Sequence, residues 1–63
     1  MLEKLEINLS LITQKNLSPN NYVILYLVYY KEEETFQELL KEPSFKADYE
    51  SLLEARYLFK TGD

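Results

Sequence analysis

Three tyrosines, Tyr22, Tyr26 and Tyr29, recur at i, i+4 and i+7, the spacing that lines one side of a helix with rings of apolar body and polar tip. Such a stripe serves either as the rim of a core, with each hydroxyl reaching water, or as a surface for a protein partner. Stacking on nucleic-acid bases is a third use, but stacking platforms sit in positive grooves and none is apparent in this sequence. Carboxylates offer other chemistry. Glu50 and Glu54 stand at i, i+4, a spacing open to acid/base work, and Asp48 adds a third acid to the same segment. No nucleophile or pocket is implied beside them, so an acidic face turned to solvent or to a protein is expected. Glu32, Glu33 and Glu34 form an acidic tract. Consecutive acids do not converge on one ion, so a solvated loop is expected there rather than a cation site.

The rest of the inventory removes chemistry. The chain has neither Cys nor His, which takes away disulfides, thiol nucleophiles, thiolate metal sites and the imidazole base or ligand together. No nucleophile, base and oxyanion arrangement can be assembled, and the expectation is a non-enzymatic protein without cofactor or metal. Its 63 residues make a single small domain, for which folding buries only about 60% of the surface of the unfolded chain and stability is marginal. Disorder is not expected, because 46% of residues are hydrophobic and nine are aromatic, an ordinary globular share. The net charge of −4 is uneven, with eight acids against Lys41 and Lys46 between residues 32 and 54. Met1 to Glu6 lacks the basic and apolar regions of a secretory signal. The longest apolar run, Tyr22 to Tyr30, has nine residues against about 20 for a bilayer span. A soluble cytoplasmic protein that meets no membrane is expected.

These side chains need elements to position them. Leu5, Ile7, Leu9 and Leu11 alternate with polar residues as in a half-buried strand. A short helix capped by Asn8 and ending near Lys15 and Asn16 competes, with an extended lead-in over residues 3 to 7, and is preferred. Ser18 as N-cap and Pro19 at the first helical position start a helix over residues 19 to 31. Its apolar character on every side requires burial on most sides. Thr35 and Glu38 spell a capping box for a second helix with core face Phe36, Leu39 and Leu40, stopped by Pro43. Ser44 or Asp48 opens a third, in which Phe45, Tyr49, Leu52, Leu53 and Arg56 share a face. Tyr57 to Lys60 is short and aromatic, like a strand, and Thr61-Gly62-Asp63 is a turn signature whose second strand is missing.

This order resembles a winged helix-turn-helix domain of the MarR type, and more closely the small phage-encoded relatives of that fold, over about residues 8 to 63. The resemblance rests on the long apolar helix after Leu17-Ser18-Pro19, the two shorter helices, and the run Ser51 to Leu58 leading into Tyr57-Leu58-Phe59-Lys60-Thr61-Gly62-Asp63. It implies a mainly α domain of three or four helices with a short C-terminal strand; for the second strand of the wing two readings stand, a chain that is a piece of a longer one or a turn that simply ends the protein. It also implies a phage protein, in the host-cell cytoplasm or associated with the virion, whose third helix is the recognition helix. The family usually places Gly where this chain has Arg56. The charge pattern turns the functional expectation toward a protein partner or self-association, with Tyr22, Tyr26, Tyr29, Asp48, Glu50 and Glu54 as the candidate contacts. The alternative is a dimeric transcriptional regulator binding duplex DNA through Lys46, Arg56 and Lys60, fewer cations than the roughly 6 to 10 phosphate contacts of practical binders.

Overall fold

The computed structural model describes residues 2–11 and 17–61. Three helices, α1 (Pro19–Tyr29), α2 (Glu33–Leu39) and α3 (Pro43–Glu54), are joined to a small antiparallel sheet of β1 (Leu5–Ile7) and β2 (Leu58–Lys60). The protein is therefore mainly α, a small winged-helix-like arrangement of three helices and a short sheet.

α1 begins where its cap residues dictate. Ser18 holds an extended backbone, its hydroxyl accepts from the Asn21 N–H at 3.2 Å, and the Asn21 side-chain oxygen accepts from the Ser18 N–H at 3.0 Å. That reciprocal pair satisfies two backbone donors that helix geometry leaves free, and Pro19 has no N–H to satisfy. The helix stops at Tyr29 rather than at residue 31. Lys31 is left-handed at φ 56°, with the Glu32 N–H donating to the Leu27 carbonyl and the Lys31 N–H to that of Val28. This is a Schellman closure built on lysine instead of glycine.

The turn delivers the chain into α2 earlier than the sequence suggests. Glu33 and Glu34 form the first helical turn, where their charge complements the positive end of the helix. Thr35 consequently sits inside the helix and not at its cap, and only Glu32 of the acidic tract precedes the helix. Pro43 likewise has the opposite role to the expected one. α2 has already ended at Leu39, and Pro43 opens α3 as its first residue after Glu42, ahead of Ser44 and Asp48. α3 ends in a second Schellman closure: the Tyr57 N–H donates to the Leu52 carbonyl, the Arg56 N–H to that of Leu53, and Arg56 sits at φ 71°. Arg56 therefore lies beyond the helix and does not share its apolar face.

The strand ending α3's exit has a partner at the other end of the chain. Leu5 faces Lys60, Glu6 faces Phe59 and Ile7 faces Leu58, and the ladder is extended by the Thr61 N–H to the Lys4 carbonyl at 2.7 Å and the Asn8 N–H to the Tyr57 carbonyl at 2.8 Å. The expected lead-in is thus the strand that β2 pairs with. The alternation stops at Ile7, and Leu9–Leu11 is a single 3-10 turn. The Asn8 carbonyl accepts from the Leu11 N–H there, while its side-chain amide donates to the Arg56 carbonyl at 3.3 Å. The continuation of that turn toward Lys15 and Asn16, and the Gly62-Asp63 part of the terminal turn, lie outside the described residues.

The core sits where α1 crosses the other elements. Ile24, Leu25, Leu27 and Val28 of α1 are buried against Phe36 of α2 and Phe45, Tyr49 and Leu52 of α3. Phe36 is wholly enclosed and stands edge-on to Phe45 at 5.8 Å and Tyr49 at 5.2 Å, the arrangement that ring quadrupoles favour. Leu2, Leu5 and Leu58 close the core at the sheet.

Candidate functional site

α1 is apolar on all sides but is buried on only one of them. Tyr22, Val23, Tyr26, Tyr29 and Tyr30 are 42% to 65% exposed, which corrects the expectation of burial on most sides. The four inward residues are enough to fill the space left by α2, α3 and the sheet, and no other described element covers the opposite face. The structure therefore places Tyr22, Tyr26 and Tyr29 together on one open stripe. It adds Tyr30, whose i+4 spacing from Tyr26 carried the same signal in the sequence. Tyr30 lies 4.7 Å from the Tyr26 ring and 4.9 Å, edge-on, from that of Tyr29, so the rings form a continuous surface.

A shallow groove runs along this stripe. Tyr22, Tyr26, Tyr29 and Tyr30 line one side of it, and Ile7 and Leu9 line the other. Leu9, 70% exposed, was legible in the sequence only as a member of an alternating run. Its position depends on how the N-terminal segment is fastened. The Lys31 ammonium donates to the carbonyls of Leu2 at 2.8 Å and Leu5 at 2.7 Å. The Leu2 N–H donates to one carboxylate oxygen of Glu33 at 2.8 Å, and the Gln37 amide donates to the other at 2.7 Å. Donation first from Gln37 and then from the Leu2 backbone holds the Glu33 carboxyl below its ordinary value, because each bond favours the charged form. Lys31, expected at the end of the first helix, and Glu33, expected in a solvated loop, thus fix the wall of the groove.

The acidic candidates occupy α3. Asp48 is half-buried and accepts from the Asn20 side-chain amide at 3.0 Å, a bond that ties α3 to the first turn of α1. Glu50 and Glu54 are exposed and one helical turn apart. The neighbouring Tyr49 hydroxyl is pushed above its ordinary value by burial and then by the Glu50 charge. Of the three cations, Lys46 is exposed one turn before Glu50, Arg56 is exposed in the turn after α3, and Lys60 is exposed on β2. Lys46 shares its stripe of α3 with Glu50 and Glu54, so its field is offset where a phosphate would approach.

Among the described residues no three acidic side chains gather as a metal would require, and no helix is long and apolar enough to cross a membrane. No family model matches this chain, and comparison with curated proteins and with solved structures found no match.

Proposed function

We propose that this protein is a non-enzymatic interaction module that docks onto a protein through the tyrosine face of α1. The observation that carries this reading is the open, uncharged stripe of Tyr22, Val23, Tyr26, Tyr29 and Tyr30. Tyrosine is enriched at protein interfaces because it supplies large contact area, keeps a polar tip for water when free, and loses only two side-chain torsions when bound. Contiguous apolar surface of several hundred Å² on a small protein marks an interaction site more often than chance exposure. Glu50 and Glu54 stand on a separate, acidic surface of α3, outside this contact.

The test compares the immobilised chain with a Tyr26→Lys/Tyr29→Lys double variant and with Glu50→Lys as a surface control. A protein retained by the parent and by Glu50→Lys but lost from the double variant is the expected result. With the soluble parent chain among the proteins applied, equal retention by all three, or retention by none, overturns the reading.

A further inference from the structure

We infer that the occupant of the tyrosine face is a second copy of this chain, the two α1 helices packing antiparallel about a two-fold axis that passes beside Tyr26. This rests on the docking reading above and names its partner. Three observations carry it.

The first is area. Four tyrosines each exposed by more than half, with Val23 and Leu9 beside them, present about 600 Å² per copy on the scale of aromatic side-chain areas. Burying that patch on two copies removes about 1,200 Å² from water, the lower end of what specific interfaces bury.

The second is charge. The molecule carries −4, so two copies repel unless the contact keeps acids apart. α1 has no charged residue from Pro19 to Tyr29. An α1-to-α1 seam is therefore free of facing carboxylates, whereas a contact through α3 sets Glu50 and Glu54 against their own copies.

The third is symmetry. In a two-fold interface one patch meets itself, so the residue at its midpoint contacts its own mate. Tyr22 and Tyr30 lie four residues either side of Tyr26, which makes the stripe nearly self-complementary under reversal. An antiparallel crossing sets Tyr22 of one copy near Tyr30 of the other and stacks Tyr26 on Tyr26. The spacing is that of i±4 ridges, which interlock between helices.

The experiment is sedimentation equilibrium of the whole chain from low micromolar to about 0.5 mM, because self-association follows mass action. The expected result is a mass rising from 7.5 kDa toward twice that value. Tyr26→Arg, which sets two cations on the axis, should hold the mass at that of one chain; Tyr26→Ser is the uncharged second variant, and Glu50→Arg should leave association intact or strengthen it. Circular dichroism confirms that each variant folds. Since the chain has no cysteine, Tyr26→Cys places one thiol on the axis, and a short bis-maleimide should join two copies there and fail to do so for Glu50→Cys. A parent chain that stays monomeric throughout overturns self-association while the retention assay still decides the docking reading. A dimer that survives Tyr26→Arg and is joined at Glu50→Cys instead overturns the assignment of this face altogether.

Discussion

Arg56 and Lys31 occupy the same backbone state for different reasons. Both are non-glycine residues at positive φ closing a helix, a conformation that costs an ordinary residue about 1 kcal/mol or more. The Arg56 carbonyl accepts from Asn8, and glycine retains that carbonyl. Arg56→Gly should therefore stabilise the fold by about 0.5 to 1 kcal/mol, read as a shift in the urea midpoint at constant slope. Lys31→Gly gains the same relief but loses the two bonds from its ammonium to Leu2 and Leu5. It should be no more stable than the parent, and its β1 amides should exchange faster. Glu33 adds a pH dependence at the same place. Its carboxyl is lowered in the fold, so its contribution is fully present above the ordinary carboxylate value and is lost as pH falls through the lowered one. The Leu2 amide resonance should titrate in that acid range, and Glu33→Gln should abolish the titration at that amide.

Among elements, α1 carries the fold and α2 supplies its keystone. Phe36 is the one residue of α2 that is wholly enclosed, and replacing such a ring by alanine costs about 3 to 5 kcal/mol. A domain of this length holds about 3 to 9 kcal/mol in total. Phe36→Ala should leave the chain largely unfolded at 37 °C, seen as lost helical circular dichroism at 222 nm, a wavelength that reports helix content. What the sequence disclosed follows the range of the forces involved. Ser18, Pro19 and Asn21 act within one turn, so the start of α1 was readable, as were the inward faces of α2 and α3. The roles of Thr35 and Pro43 escape local reading because each depends on where the preceding helix ends: α1 closes on the left-handed Lys31, which no glycine announces, and α2 ends at Leu39 through a right-handed Leu40, ahead of the proline expected to stop it. The pairing of β1 with β2 joins residues 51 to 55 positions apart in sequence, beyond any local signal. The tyrosine stripe was visible as spacing. Its exposure was not, since periodicity says which residues share a face and nothing about how many neighbours exist to cover it.

The whole molecule is acidic with an uncharged face, and both properties bear on what it meets. Lys46, Arg56 and Lys60 are the cations of the α3-to-β2 unit, and Glu50 and Glu54 stand on the same helix. Fluorescence anisotropy with mixed duplex DNA at about 50 mM salt should show no binding, and hence no salt-dependent loss at about 200 mM. Binding that collapses between those salts would favour the regulator reading instead. The folded chain also has an order of assembly written into its ladder. Leu5 meets Lys60, so β1 cannot find its partner until all three helices between the two strands have been made. Helices formed by local contacts condense early, whereas contacts that close long loops wait. Leu2 and Leu5, buried in the finished core, lack the sheet side of that core until β2 has been made. On the ribosome the three helices emerge before the sheet can form, and the domain becomes a closed body only when β2 emerges to clasp β1.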